Sequence, residues 1–121
     1  MNFVLDTNAV IYLQKGLLVE PLPIGQYFLS VISEIELLSF PGLMPDQEAI
    51  LRELLSDVTV VGIDDDVKHG AIRLRRERHI KLPDAIVLST AMAMDAELLS
   101  NDIGFTGIPG TRVRSLALKQ T

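Results

Sequence analysis

Lys81-Leu82-Pro83-Asp84-Ala85-Ile86-Val87, read together with Leu98-Leu99-Ser100-Asn101-Asp102, decides the fold of this chain. Pro83 suits a first helical position, where its missing N–H would have had no partner, so Asp84 is expected in the first turn of a helix. Its carboxylate then meets the positive end of the helix dipole. The following segment, Ala85 to Ala96, is apolar almost all round, the pattern of a buried helix, and Glu97 to Ser100 reads as a short strand behind it. Asp102 falls just past that strand's C-terminal end. In an open parallel sheet ligands bind at this edge, so two carboxylates are expected to reach one spot.

Working outward, Asn2 to Leu5 is a short apolar run that stops at Asp6-Thr7-Asn8, after which Val10, Ile11 and Leu13 mark a helix closed by Lys15-Gly16. Asp6 can cap that helix, or it can stand at the same sheet edge as Asp84 and Asp102. Tyr27 to Ile32 reads as a second strand. Ser33 is then expected to cap a helix in which Glu36, at the third position, either closes a capping box or points at the edge shared with Asp6. Asp46 opens a helix with Ile50, Leu51, Leu54 and Leu55 on one apolar stripe, and Val58 to Val61 reads as a third strand.

Asp64-Asp65-Asp66 has the look of a metal cluster, but successive aspartates at a helix start serve better as cap and dipole partners. The helix from Asp66 to His79 turns Val67, Ala71 and Leu74 inward. Arg73, Arg75, Arg76, Arg78 and Lys81 crowd its outer face and end, five of the eleven basic residues of the chain. They form either a solvated helix terminus or a grip for phosphates beside Asp84. His69 and His79 lack the paired spacing of a zinc site. The Gly104 to Gly110 loop has neither the Lys-Ser/Thr of a P-loop nor dinucleotide-binding spacing, and Thr111 to Val113 is a candidate edge strand.

The 121 residues fit one domain with a core of its own, 1–121. Cysteine is absent, which excludes disulfides, thiolate metal sites and cysteine nucleophiles. No apolar stretch reaches the ~18 residues of a membrane span and no secretory leader is evident, so a cytoplasmic protein without membrane attachment is expected. A formal charge of −5 runs against the usual basic footprint of a nucleic-acid binder, unless the acids gather around a cation.

Apolar runs alternating with helical patterns argue for a three-layer α/β/α sandwich around a mainly parallel sheet of four or five strands. Asp6, Glu36 and Asp102 each follow a strand and Asp84 opens a helix leading into one. Crowded carboxylates repel unless a divalent ion joins them, and an all-oxygen set suits Mg²⁺ or Mn²⁺.

These motifs, Leu5-Asp6-Thr7-Asn8, Val31 to Leu38, Leu82-Pro83-Asp84-Ala85 and Leu98 to Phe105, resemble in order and spacing those of the PIN-domain family, and most of all its small VapC-type toxins. The resemblance implies a PIN-like fold, endonucleolytic cleavage of RNA, and Mg²⁺ or Mn²⁺ held by the quartet Asp6, Glu36, Asp84 and Asp102. It makes Thr7, Asn8 and Ser100 supports of that quartet. A cognate antitoxin and a homodimer are the partners it implies, a mean hydropathy of +0.31 being high for a lone soluble chain. Two other readings compete. One is a PIN-like binding or scaffold module without activity. The other is phosphoryl transfer through an aspartyl intermediate, disfavoured because Asn8 stands where a second aspartate is needed.

Overall fold

The computed structural model describes residues 1–120. Five parallel strands lie in the order β3-β2-β1-β4-β5: β1 (Asn2–Leu5), β2 (Gln26–Ser30), β3 (Thr59–Val61), β4 (Glu97–Leu99) and β5 (Val113–Arg114). The helices are α1 (Thr7–Gln14), α2 (Val31–Leu38), α3 (Pro45–Leu55), α4 (Asp65–Arg78) and α5 (Leu82–Ala93). A single 3-10 turn, Ile103–Phe105, follows β4. Among the described residues no helix is long and apolar enough to cross a membrane.

Alternation along the central strands builds the layers, because successive side chains of a strand leave opposite faces of the sheet. Val4 of β1 and Leu98 of β4 join Val67, Ala71 and Leu74 of α4 and Ala85 to Leu88 of α5 in one core. Phe3, Leu5, Leu29 and Leu99 face the other way, onto Ala9 and Val10 of α1 and Leu51 and Leu55 of α3. The sheet is thus covered on both faces, as parallel sheets require. Truncating Leu98, which is fully buried, to alanine would cost about 2–5 kcal/mol.

Several boundaries differ from the sequence reading: β3 starts at Thr59, α5 ends at Ala93, β4 ends at Leu99 and the edge strand is Val113–Arg114 in place of Thr111 to Val113. The second strand ends at Ser30, whose side chain accepts from Ile32 N at 3.2 Å and caps α2, so the helix starts at Val31 and Ser33 lies inside it. β-branched Val31 and Ile32 favour a strand by propensity, but the β2–β3 ladder ends with the pair Ser30 and Val61, and beyond it the capping hydroxyl starts a helix. Glu36 is consequently the sixth residue of α2, not the third, and the capping box with Ser33 does not form. In α3 the stripe is narrower than expected: Leu51 and Leu55 are buried, whereas Ile50 is exposed.

The acidic caps follow expectation. Asp64 accepts from Val67 N at 2.9 Å at the start of α4, leaving Asp65 and Asp66 in the first turn. At the other end of α4, His79 adopts the left-handed conformation that closes the helix. The α4–α5 contact is close: Ser89 Oγ donates to Val67 O at 2.7 Å in the space that the absent side chain of Gly70 leaves.

Candidate metal centre

Strand order places the site. From β1 the chain moves by way of α1 to β2 on one side, whereas β4, on the other side of β1, continues to β5, so the winding reverses between β1 and β4. Adjacent strands whose connections diverge leave a crevice beyond their C-terminal ends. Asp6 and Ser100 are the first residues past these two strands. Asp6 N donates to Leu99 O at 3.1 Å, prolonging the ladder by one bond and fixing where the Asp6 side chain begins.

Asp6 is buried, and its carboxylate is held on both oxygens. Oδ1 accepts from Thr7 N at 2.9 Å, the N-cap bond of α1, and Oδ2 accepts from the buried Ser100 hydroxyl at 2.7 Å. Asp6 is therefore at once a cap and a rim acid. Ser100 Oγ in turn accepts from Asp102 N at 3.1 Å, tying the two acid-bearing loops together. Asp102 caps the 3-10 turn, accepting from Gly104 N at 2.8 Å, and its side chain is otherwise open to solvent.

Glu36 is exposed on α2 and accepts from the Thr7 hydroxyl at 2.9 Å. Asp84 lies half-buried in the first turn of α5, as expected, although the helix begins at Leu82 and Pro83 is its second residue, where a missing N–H still costs no intrahelical bond. Asn8 is exposed beside Thr7.

Electrostatics joins the four acids into one neighbourhood. Burial pushes the Asp6 carboxyl above its ordinary value, the Ser100 and Thr7 hydrogen bonds pull it down, and the charges of Asp102 and Glu36 push it up again. Asp84 is likewise raised, first by desolvation and then by Asp102 and Asp6; Lys81 opposes this and Glu36 adds to it. Asp84 therefore feels the other three acids, and Asp6 feels Asp102 and Glu36. Among the described residues, no three of these carboxylates are drawn around one point as a ready-made ion shell. The donor set is nonetheless of the kind that takes a hard divalent cation: oxygen only, strongly negative, with none of the four acids in an ion pair among the described residues.

The basic residues divide. Lys81, at the N-cap of α5, acts on Asp84. Arg73, Arg75, Arg76 and Arg78 are exposed on α4 and do not figure among the charges acting on Asp6 or Asp84. Arg73 and Arg78 flank a groove of about 250 Å³ floored by Leu74, Met92, Ile108 and Pro109, while Arg75 Nε donates to Ile80 O at 3.3 Å.

Two residues of the site neighbourhood escaped the sequence reading. Ser33, buried, has its hydroxyl 3.0 Å from that of Thr7; its spacing of three from Glu36 on one helix face was the available signal. Asn101 pairs with the backbone of Leu116 in both directions, Leu116 N donating to Oδ1 at 2.6 Å and Nδ2 donating to Leu116 O at 2.9 Å. It clamps the C-terminal segment beside the rim, and no local pattern announces such a contact.

Comparison with known proteins agrees with this fold. The family model described as PIN domain matches residues 3–110. A toxin–antitoxin complex from Klebsiella pneumoniae contains a chain 32% identical, covering 89% of this chain and 93% of that one, with a TM-score of 0.74. DNA-bound VapBC from Salmonella typhimurium superposes with a TM-score of 0.79 at 21% identity, over 95% of this chain and 98% of that one. VapBC2 from Rickettsia felis, bound to a promoter DNA fragment, gives 0.78 at 21% identity, over 97% and 100% of the two chains. At that level of identity the last two show the shared fold. No curated protein sequence matches significantly.

Proposed function

The chain belongs to the PIN-domain family, and from that premise we propose that it is a metal-dependent endoribonuclease, the toxin of a type II toxin–antitoxin pair. The observation that carries this reading is the meeting of Asp6 and Ser100 at the β1–β4 crevice, with Glu36 and Asp102 close enough to act on both Asp6 and Asp84.

Asp6, Asp84 and Asp102 would hold Mg²⁺ or Mn²⁺, with Glu36 as a further ligand or as the base that orients the attacking water. A bound divalent cation supplies positive charge to offset that of the scissile phosphate and leaving oxygen, and lowers the pKa of water at the site. The protein's own part is positional. Ser100 and Thr7 N fix the Asp6 carboxylate, and the Thr7 hydroxyl holds Glu36. Arg73, Arg75, Arg76, Arg78 and Lys81 would contact the phosphates of the RNA flanking the cut, supplying the cationic surface that the net charge withholds. In-line attack would leave 5'-phosphate and 3'-hydroxyl ends.

The complexes found among the structural neighbours carry an antitoxin over to this chain as its proposed partner, with a second copy as the other candidate. Exposed Phe40, Met44 and Ile50 offer them apolar surface.

A non-catalytic module remains the competing reading, favoured by the absence among the described residues of a preformed three-acid shell. Two measurements separate the readings. Mn²⁺ is expected to raise the Tm in a concentration-dependent way, because a ligand specific to the native state stabilises it. Asp6→Asn is expected to abolish both that rise and Mn²⁺-dependent cleavage of RNA. A folded Asp6→Asn protein with full activity would remove the assignment.

A further inference from the structure

We infer that Ser33 is a positioning residue: acting through Thr7, it orients the Glu36 carboxylate, a role whose catalytic meaning rests on the nuclease reading above. Thr7 Oγ1 lies 2.9 Å from Glu36 Oε1 and 3.0 Å from Ser33 Oγ, and a threonine hydroxyl has one hydrogen to give. An ionised carboxylate only accepts, so the Thr7 hydrogen points at Glu36 and the Thr7 oxygen is left to accept from Ser33. The chain of donation runs from Ser33 through Thr7 to Glu36.

Burial makes this direction firm. Ser33 is fully buried in α2, where a hydroxyl without a partner is costly, and among the described residues its hydroxyl has Thr7 alone as side-chain partner. Ser33 thus cannot turn away without losing that bond. Thr7, half-buried at the first position of α1, is held in one rotor by it. Glu36 is the exposed end of the chain and the only one of the three with a long side chain free to sample other rotamers. The buried serine therefore restrains an exposed acid on its own helix by way of a residue 26 positions earlier in sequence, on α1.

The test uses the full chain and two readouts. In metal-free protein, the order of the Glu36 side chain is followed by ¹³C relaxation at Cγ in wild type, Ser33→Ala, Thr7→Val, the double variant and Ser33→Thr. Mn²⁺ affinity of the same set is then measured calorimetrically. Ser33→Ala is expected to lower Glu36 order and to weaken Mn²⁺ binding about three- to tenfold, the fold-change to which the net worth of one hydrogen bond converts. The double variant should be no worse than Thr7→Val alone, because the serine acts through the threonine, and Ser33→Thr should retain wild-type behaviour. Unchanged Glu36 order in Ser33→Ala, or effects of Ser33→Ala and Thr7→Val that simply add, overturns the relay. If wild type binds no Mn²⁺ while Ser33→Ala still loosens Glu36, the relay stands and the nuclease reading falls.

Discussion

Ser100 Oγ donates to Asp6 Oδ2 at 2.7 Å, across 94 positions of sequence and the boundary between β1 and β4. Because the same hydroxyl accepts from Asp102 N, one small side chain sets the spacing of two acid-bearing loops. Ser100→Ala should leave the Asp6 charge buried with one partner fewer. The expected outcome is a loss of about 1–3 kcal/mol of stability together with weaker Mn²⁺ binding, measurable by denaturant unfolding and calorimetry.

Asp84→Asn removes one charge from the cluster without breaking any side-chain hydrogen bond of the described residues. Since Asp84 is raised by desolvation and by three like charges, its ionisation opposes folding. In the absence of divalent ions the variant should melt above wild type, the stability gain expected from dismantling a strained functional site. It should also lose the Mn²⁺-dependent Tm rise. A metal-free Tm below that of wild type would contradict this account.

The pH dependence has a definite sign. Asp6 and Asp84 are both raised above the ordinary carboxyl value of 3.8, so the folded protein holds these protons more tightly than the unfolded chain does. Their contribution to stability is complete below the ordinary value and is lost as the pH rises through the raised ones. Melting curves from pH 7 downward should therefore show the gap between Asp84→Asn and wild type closing as Asp84 protonates. The Mn²⁺ effect should fade over the same range, since protons and cation compete for the same oxygens.

Gly70→Ala tests the α4–α5 contact. A Cβ there would stand 2.2 Å from Ser89 Oγ and 3.3 Å from Ser89 Cβ, inside a packed interface. The variant is expected to lose about 1–3 kcal/mol, and adding Ser89→Ala should recover part of it by removing the nearer atom. Thermal or urea unfolding of the two variants decides.

Replacing Arg73 and Arg78 together by alanine should weaken RNA binding and flatten its salt dependence by about 0.7 in log–log slope for each phosphate contact removed. Neither arginine acts on the buried acids, so Tm and Mn²⁺ response should be unchanged. An unaltered salt slope would take α4 out of the RNA path.

Asn101→Ala removes both hydrogen bonds to Leu116. Faster amide exchange at Leu116 and a stability loss of about 1–3 kcal/mol are expected, because a bound backbone pair is left without its partner.

By itself the sequence determined the architecture: hydrophobic period and turn residues specify alternating strands and helices, and Pro83, Asp64 and the inward triad Val67, Ala71 and Leu74 behave as local chemistry dictates. It also placed Asp6 and Asp102 beyond strand ends, because a strand's end is legible where an apolar run stops. It misjudged where β2 ends, since propensity at Val31 and Ile32 is outweighed by a serine cap and by the last rung of the β2–β3 ladder. Only the tertiary structure decided that β4 lies against β1, that Ser100 therefore reaches Asp6, that Asn101 clamps Leu116, and that Ser33 and Thr7 meet beside Glu36. The physical reason is range. Periodicity and capping act within a few residues, whereas these contacts join segments brought together by sheet order, which burial of both faces of the sheet selects and no short stretch of sequence encodes.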